Sequence, residues 1–317
     1  MAHLAYKLRA YNGHSDLPAL ERIWGETFAT TWPIEGERLG GVLSSQDQSN
    51  TGWCDVIVHD GPVGVIAYQQ RRDMLAEGSI VLALVAAEHR RRKLGTALVQ
   101  SALARLRRNG VVKVELGAWA DPQLWHGIPR DCDGAEKFFS ALGWRYYEEN
   151  ADLVVRLADY ATPTRVSDKA RQNGVRFRRA VAEDRERVIK FVLDEYRGFA
   201  SYYVDEWGQN GPGGILLAET GSQIDGVIIL SRFPSCPGRQ WHLILGSRLC
   251  ALGALMVRRD VRRRGVGLGL TAYGLEELKQ EGYENCYLHW IVLTHMYEQL
   301  GAKVWRRYTL GNNILQV

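Results

Sequence analysis

The sequence is poor in the residue patterns that build metal sites and disulfide frameworks. Its five cysteines and eight histidines are scattered, and none of them stands at a C-x-x-C or H-x-x-x-H spacing. An odd number of cysteines, most of them in apolar strands, favours free thiols over disulfides. We therefore expect no bound metal and a reducing compartment, the cytoplasm.

Long apolar runs and a strong charge excess are also lacking. No run approaches the roughly 18 to 20 residues of a membrane span, and the first four residues do not begin a signal peptide. The net charge is only +4, without the basic stripe and interleaved aromatic residues that typify nucleic-acid binding. We expect a globular protein, with no membrane or nucleic-acid partner, whose 317 residues suffice for two domains.

The most informative segment is the basic, glycine-rich turn Arg262–Gly269, which follows the apolar run Leu252–Val257. A helical pattern begins after this turn. Unpaired N–H groups and a positive dipole end at such a helix start together bind a pyrophosphate. The spacing fits neither a Walker loop nor a dinucleotide-binding fingerprint. A solvated basic turn that needs glycine only for bending is the simpler alternative.

The same feature occurs earlier in the chain. Val81–Val85 and His89–Ala97 align with the later strand and turn at a constant offset of 172 positions. The offset extends to Gly110 and Gly282, each of which follows a predicted helix and precedes a strand. A repeat of this length is stronger evidence for architecture than any single motif.

Each half of the chain has the same predicted order of elements: strand, helix, hairpin, long strand, helix, strand, helix, strand. Late in the repeat the offset falls to 158, so the first copy has about 14 extra residues, which we place in Asp121–Gly134. We predict a mixed α/β protein with an N-terminal domain at 1–158 and a C-terminal domain at 175–317. The polar segment 159–174 contains Pro163 and no apolar period, which is typical of a linker.

Arg264-x-x-Gly267-x-Gly269 resembles the Q/R-x-x-G-x-G/A signature of the GNAT (GCN5-related) acyltransferases, and the order of elements is similar to theirs over nearly the whole chain. The resemblance implies two tandem GNAT domains, each a central mixed sheet flanked by helices, and an acyl-coenzyme A donor held through its pyrophosphate. The donor-binding residues that it implies are Leu255, Met256, Val257, Arg262, Arg263, Arg264, Gly265, Val266, Gly267, Leu268 and Gly269 in the second copy, and Arg92, Gly95 and Ala97 in the first.

In GNAT enzymes the general acid is usually a tyrosine on the helix that follows the strand after the pyrophosphate-binding helix, and Tyr297 matches it here. His289 ends the preceding strand and is the candidate base, because an imidazole has an ordinary pKa near 6.5. Both side chains could instead serve packing. In the first copy, Phe139 stands in place of Tyr297 and Lys93 in place of Gly265. Because phenylalanine has no proton to donate, we predict that the C-terminal domain is catalytic. The first domain is then a degenerate copy whose loop still has backbone donors for coenzyme A.

An acceptor site is predicted from the aromatic and acidic stretch 202–207. Asp205 and Glu206 would bind a cationic amine. Tyr202, Tyr203 and Trp207 would form a wall against a sugar or other polar ring. Trp290, next to the candidate base, joins this group. Packing of these aromatic residues in the core is the alternative.

Two further segments, 125–144 and 289–305, are similar to a tandem GNAT group that includes bacterial glucosamine and glucosaminide N-acetyltransferases. That group has an aspartate immediately before the tryptophan, where this chain has His289. The resemblance implies direct transfer of an acetyl or other small acyl group from acyl-coenzyme A to a primary amine of an amino sugar or related small polar metabolite. Two alternatives are an acyl carrier protein as the donor, attracted by the arginine-rich turn, and a non-catalytic module that binds acyl-coenzyme A or a metabolite.

Overall fold

A computed structural model describes residues 6–44, 50–117 and 124–315, without the side chains of residues 170 and 171. The first four residues, where we expect no signal peptide, and the start of the predicted insertion at 121–134 lie outside these ranges. The chain divides into two compact units, one formed by Met1–Asn150 with Arg306–Val317 and the other by Ala151–Trp305.

Most elements of the first unit come from the first half of the chain. Its strand β3 is buried along almost its whole length, as expected for a central strand rich in valine and isoleucine. The elements are β1 (Lys7–Ala10), α1 (Gly13–Phe28), α2 (Gly36–Ser44), β2 (Asn50–Val58), β3 (Pro62–Arg71), β4 (Glu77–Val85), α3 (Leu94–Arg108), β5 (Lys113–Leu116), β6 (Ile128–Pro129), α4 (Ala135–Ala141) and the start of β7 (Arg145–Arg156).

The second half of the chain repeats this order. Its elements are α5 (Thr164–Gln172), β8 (Arg176–Arg179), α6 (Arg185–Tyr196), α7 (Ala200–Asn210), β9 (Ile215–Thr220), β10 (Gln223–Arg232), α8 (His242–Leu245), β11 (Leu249–Val257), α9 (Val266–Gln280), β12 (Asn285–Ile291), α10 (Thr294–Glu298) and β13 (Lys303–Ile314).

Both units have mixed sheets of the same pattern. In the first unit, β1 to β4 pair antiparallel in order, and β4 then pairs parallel with β5. In the second, β8 to β11 pair antiparallel in order, and β11 pairs parallel with β12. The apolar sides of the helices pack on these sheets, with α3 on the first and α9 on the second.

The internal repeat predicted from the sequence is confirmed element by element. The ends of β4 and β11 differ by 172 positions, as do those of α3 and α9, whereas those of β7 and β13 differ by 158. The predicted order of elements missed the helix α2 and the short strand β6 in the first half, and the helices α5, α7 and α8 in the second. Helices α2 and α7 have only nine and eleven residues, so their apolar residues complete few turns of a helical period.

The last strand of each repeat crosses between units. The end of β7, from Ala151, pairs antiparallel with β12 of the second unit. The end of β13 pairs antiparallel with β5 of the first unit. The compact units therefore differ from the predicted domains, 1–158 and 175–317, because each unit includes a strand segment from the other half of the chain.

The segment predicted as a linker, 159–174, belongs to the second unit. Residues 164–172 form helix α5, and Tyr160 and Val166 are buried in the core against α9. The Lys279 ammonium donates to the Tyr160 carbonyl at 2.5 Å, and Glu276 accepts hydrogen bonds from the Thr162 N–H and hydroxyl, both at 2.9 Å. Two apolar residues that show no helical period are enough to pack this segment against the core. Hydrogen bonds with Lys279 and Glu276 supply the remaining contacts.

Within the described ranges, no helix is both long and apolar enough to cross a membrane.

Candidate active site

Strand β11 bends just before the predicted donor-binding residues Leu255–Val257. Opposite the β10 segment from Val227 to Ile229, β11 contains one extra residue. Ala254, within this bulge, has a left-handed φ of 50°. Its carbonyl accepts a 2.7 Å hydrogen bond from the buried Tyr203 hydroxyl. The bulge interrupts the strand pairing and redirects the backbone groups that follow.

The basic turn after β11 contains two left-handed residues, Arg263 with φ of 64° and Gly265 with φ of 89°. The Arg262 Nε–H donates to the Val257 carbonyl at 3.0 Å, which fixes the start of the turn. Helix α9 then begins at Val266 without a side-chain cap. The first N–H groups of a helix have no intrahelical acceptor. This helix start therefore presents free donors and a positive dipole end to an anion.

Glycine at position 267 keeps the start of α9 close to the strand. A Cβ atom there would lie 3.1 Å from Cγ2 of Val257 and 3.5 Å from Cδ2 of Leu255. Gly269 is buried, and its N–H donates to the Gly265 carbonyl at 2.9 Å. A larger residue at 267 would move the unpaired N–H groups away from β11.

The predicted arginines of this turn, Arg262, Arg263 and Arg264, are all exposed. A guanidinium nitrogen of Arg262 lies 3.6 Å from the Glu195 carboxylate. The side chains of Arg263 and Arg264 form no ion pair with any residue in the described ranges. These two cations are therefore available to phosphate groups.

Helix α5 borders the same turn and adds a further cation. A Cβ atom on Gly265 would lie 3.0 Å from Cγ and Cδ of Lys169, so the lysine stem fills the space that glycine leaves. The Asn173 side-chain amide donates to the Arg264 carbonyl at 3.2 Å. The turn is thus supported by the segment that the sequence predicted as a linker.

Tyr297 lies on the short helix α10 and packs half-buried against the core of the second unit. Burial raises the pKa of Tyr297 to about 12. The hydroxyl therefore keeps its proton at neutral pH, which a general acid requires. The Tyr297 carbonyl accepts the Leu300 N–H at 2.8 Å, which ends the helix.

His289 lies where the pairing of β11 and β12 has ended. The parallel pairs join Leu249–Ala251 to Asn285–Tyr287 and go no further. A Cβ atom on Gly253 would lie 3.6 Å from Nε2 of His289, so the imidazole is beside β11, next to the bulge. Its ring is nearly parallel to that of Tyr287, with 6.0 Å between centroids and 5° between planes.

The residues predicted for acceptor binding do not share one surface. On α7, Tyr202 and Asp205 are exposed, whereas Glu206 and Trp207 are half-buried, because successive helical residues point about 100° apart. Trp207 packs against the second unit's core, and burial raises the pKa of Glu206. Trp290 is half-buried beside His289 and has a left-handed φ of 56°. Trp290 thus adjoins the candidate base along the chain, whereas the predicted residues of α7 face in different directions.

The turn of the first unit has the same backbone as that of the second. Arg91 and Lys93 have left-handed φ values of 63° and 62°, and Arg90 Nε–H donates to the Val85 carbonyl at 2.9 Å. The predicted phosphate ligand Arg92 donates to the Tyr6 hydroxyl at 2.8 Å. The Ala97 N–H donates to the Lys93 carbonyl at 3.0 Å, as in the first turn of α9.

A cavity of about 930 Å³ lies in the first unit between this turn and a group of aromatic side chains. Phe139, the counterpart of Tyr297, lines it and is 8% exposed. Gly95 also lines it, and a Cβ atom there would lie 3.2 Å from Cζ of Phe138. Other lining residues are Phe28, Trp32, Lys93 and Trp125. The first unit thus retains a cleft but has no hydroxyl at the position of Tyr297.

The sequence profile of the acetyltransferase (GNAT) family matches residues 17–124 and again residues 185–302. Because these matches cover more than half of the chain, the protein belongs to the GNAT family. They also confirm the two repeats predicted from the sequence. A search of curated protein sequences gave no significant match.

Solved structures share the fold of the whole chain. One is the GCN5-related glucosamine N-acetyltransferase region of a fungal multi-domain GH3 β-N-acetylglucosaminidase, with a TM-score of 0.88, 22% identity and 98% of this chain covered. This chain spans only 38% of that protein. A GCN5-related N-acetyltransferase from Sphaerobacter thermophilus has a TM-score of 0.72 and 19% identity, with 98% of this chain and 96% of that one covered. A tandem GNAT protein from the clavulanic acid biosynthesis pathway has a TM-score of 0.65 and 14% identity, with 98% of both chains covered.

Two residues around the second-unit site were missed by the sequence analysis: Lys169 borders the turn, and Asp152 lies buried beside Trp290. Tyr203, which was predicted as part of an aromatic wall or of the core, is buried and supports the bulge. Only Asp152 carries a recognisable signal, since it is a single carboxylate inside an apolar strand, Ala151–Val155. The roles of Tyr203 and Lys169 depend on contacts across long stretches of chain and have no spacing rule.

Proposed function

We propose that this protein is an N-acyltransferase that transfers an acetyl or other small acyl group from acyl-coenzyme A to a primary amine, with the chemistry in the second unit. One observation carries the proposal. The uncapped helix start at Val266, the protonated hydroxyl of Tyr297 and the imidazole of His289 all belong to this unit. The first unit has Phe139 where the hydroxyl would be.

The donor would be held by backbone groups and by the turn. Residues 255–257, which begin within the bulge, would bind the amide groups of the pantetheine arm, and the N–H groups from Gly265 to Leu268 would bind the pyrophosphate. Arg263, Arg264 and Lys169 would add positive charge around the phosphates. Acyl-coenzyme A supplies the activated thioester when bound, and the residues of this chain need only orient it and move protons.

Two proton transfers are assigned to side chains. His289 would accept a proton from the acceptor's ammonium group, which frees the nitrogen lone pair to form the new C–N bond. Tyr297 would donate its proton to the thiolate as the C–S bond breaks, and the second proton, which the nitrogen of the new C–N bond loses, would return to Tyr297 through solvent. The raised pKa of Tyr297, about 12, keeps this proton in place until the thiolate forms.

We propose direct attack without an acyl-enzyme, because neither turn contains a cysteine or serine placed as a nucleophile. Cys250 and Cys286 lie on neighbouring strands of the second unit and are both buried. Burial raises the pKa of the Cys250 thiol, so its reactive thiolate form is disfavoured.

An amino sugar is the first acceptor to test. The support is the fold shared with the fungal glucosamine N-acetyltransferase region, together with the side chains of His289 and Trp290 near the place where the strands stop pairing. Aromatic faces pack well against sugar rings while polar groups bind the hydroxyls. A related small polar amine would satisfy the same chemistry.

For the first unit we propose donor binding without transfer. Its cavity of about 930 Å³ and its turn with left-handed Lys93 support binding, and Phe139 opposes catalysis. Calorimetry with coenzyme A should then give two sites per chain. A Gly95→Val variant, whose side chain would meet Phe138, should remove one site while turnover persists; a single site in the wild type contradicts this part of the proposal.

A carrier-protein donor is a variant of the same reaction. The exposed arginines 262–264 are the observation that favours it, since carrier proteins are typically acidic and present the same phosphopantetheine arm. Weak binding of coenzyme A together with tight, salt-sensitive binding of an acylated carrier would select this variant.

The decisive experiment is thiol release from acetyl-coenzyme A with a panel of primary amines led by glucosamine. We expect Tyr297→Phe to lower kcat about 100-fold while the Kd for coenzyme A changes less than about twofold. Tyr160→Phe is the matched control, because Tyr160 is a buried tyrosine of the same unit whose hydroxyl, within the described part of the chain, bonds locally to Thr162 at 3.3 Å. It should retain wild-type kcat.

The outcomes separate the alternatives. Full activity in Tyr297→Phe, with loss of activity on mutation of the turn 92–97, would move the chemistry to the first unit. Coenzyme A binding without turnover on any amine or acyl donor would leave a non-catalytic binding module.

A further inference from the structure

A buried carboxylate lies beside the candidate base and has no role in the proton transfers described above. Asp152 is fully buried on the end of β7 that belongs to the second unit. It accepts a hydrogen bond from the Tyr287 hydroxyl at 2.5 Å and another from the Trp290 N–H at 3.1 Å. A buried carboxylate costs stability unless its oxygens have such partners, so its presence here requires a reason.

The carboxylate faces an irregularity in β12. Leu288 pairs with Leu153 and Ile291 with Ala151, so two residues of β12 oppose Asp152 alone. One of these two is Trp290, whose left-handed φ of 56° is unfavourable for a residue with a side chain. The hydrogen bond from its N–H to Asp152 fixes the backbone in this bulged conformation.

The other residue of the bulge is His289. Its ring is parallel to that of Tyr287, 6.0 Å away, and Nε2 points toward Gly253 on β11. Tyr287 is itself held by the Asp152 carboxylate and by an edge contact with Trp305 at 5.9 Å. Asp152 therefore holds two structures next to the imidazole, the bulge and the neighbouring ring.

None of these residues has a like counterpart in the first unit. The repeat offsets place Leu310 at the position of Asp152, Glu115 at that of Tyr287 and Gly117 at that of His289. The unit without Tyr297 thus also lacks the carboxylate and the imidazole. The arrangement belongs with the second unit's site and is not a general requirement of the fold.

We propose that Asp152 is a positioning residue for acyl transfer. Its carboxylate fixes the bulge at Trp290 and the ring of Tyr287, and it thereby holds His289 toward β11. This proposal rests on the proposed function. It also means that the site in the second unit depends on a residue from the first half of the chain, outside the predicted C-terminal domain.

The test uses the full chain and three variants. Tyr287→Phe removes one hydroxyl and keeps the packing. Asp152→Asn keeps an oxygen that can accept the Trp290 N–H, and Asp152→Leu copies the residue found at the first-unit position. Tyr68→Phe is the matched control, because Tyr68 of the first unit is also buried and donates to a buried carboxylate, Asp55, at 2.8 Å.

Two kinds of quantity are measured for each variant. The first is the pair of constants kcat and Kd for coenzyme A, and the second is the imidazole ¹⁵N signals of His289, assigned with His289→Gln. We expect kcat to fall at least tenfold in Tyr287→Phe and further in Asp152→Leu, with Kd within twofold and shifted His289 signals. Asp152→Asn should lose less than Asp152→Leu. Tyr68→Phe should change neither quantity.

Wild-type kcat in folded Tyr287→Phe would overturn the proposal, and so would a fall in kcat with unmoved His289 signals, which would indicate a structural role only. If Asp152→Leu does not fold, Tyr287→Phe carries the test. If the wild type shows no turnover, the proposed function fails, while the His289 signals still decide whether Asp152 positions the imidazole.

Discussion

Lys93 and Gly265 occupy corresponding positions in the turns of the two units, and both have left-handed backbone, with φ of 62° and 89°. In the first unit this position carries its own cation. In the second, glycine leaves space that the Lys169 stem of helix α5 fills. The two turns thus acquire a lysine at the same place from different parts of the chain.

A first prediction is that substitutions at these two positions change the stability of the protein by different amounts. Gly265→Ala should lower the free energy of unfolding by about 1 kcal/mol, because a side chain disfavours left-handed backbone and its Cβ would meet Lys169. Lys93→Gly should be near neutral, since relief of strain offsets the greater freedom of glycine in the unfolded chain. Urea denaturation measures both changes. Equal losses in the two variants would contradict the prediction.

A second prediction concerns the rate of thiol release at high pH. Burial raises the pKa of Tyr297 to about 12, above the ordinary value of 10.0, so the hydroxyl stays protonated through pH 10. If Tyr297 is the general acid, kcat should not decline between pH 8 and pH 10. A halving of kcat near pH 10 that disappears in Tyr297→Phe would show an ordinary pKa and refute the expected effect of burial.

A third prediction concerns acid stability of the first unit. Burial lowers the pKa of His126 from 6.5 to about 3. Below pH 6.5 the unfolded chain binds a proton at this residue and the folded chain does not, so stability falls as pH falls toward 3. The expected loss is roughly 1 kcal/mol per pH unit in this window.

Denaturation of the wild type at pH 7.5 and at pH 5 tests this dependence, with His126→Gln as the comparison. The variant should lose less stability than the wild type on acidification. An identical pH dependence in the two proteins would exclude His126 as the cause.

A fourth prediction follows from the exchange of strands between the units. A fragment of residues 175–317 lacks β7, the antiparallel partner of β12, and it also lacks buried members of the second unit's core, namely Ala151, Leu153, Val155, Leu157, Tyr160 and Val166. We expect it to show no cooperative unfolding, whereas a fragment of residues 151–305 should unfold cooperatively. Thermal melts followed by circular dichroism compare the two. Cooperative unfolding of the 175–317 fragment would support the domain boundaries predicted from the sequence.

Much of the fold was predictable because the strand, turn and helix that identify each copy of the repeat are adjacent in the sequence. Each copy contains its own strand, turn and helix at fixed spacing, so comparison of residues 81–97 with 253–269 indicated both units without any tertiary information. The helices α2 and α7 were missed because they are only nine and eleven residues long and so contain few repeats of the apolar period. The membership of 151–157 in the second unit was also missed, since an apolar strand does not reveal which neighbour it will pair with.

The candidate site, like the fold, was predictable from the sequence only in part. Tyr297, His289 and the turn 262–269 were identified from residue type and spacing, and their roles stay predictions that the proposed experiments test. Asp152 and Lys169 lie more than a hundred and nearly a hundred positions, respectively, from the residues they contact at the site. No local pattern could have joined them to it.

The sequence by itself determined the architecture of two repeats and the backbone chemistry of two turns, because these depend on residues adjacent in the chain. Only the tertiary structure decided which residues surround His289 and Gly265. Strand pairing across the halves brings Asp152 to β12, and packing of α5 on α9 brings Lys169 to the turn. These contacts are set by burial of apolar surface between distant segments, which no short motif encodes.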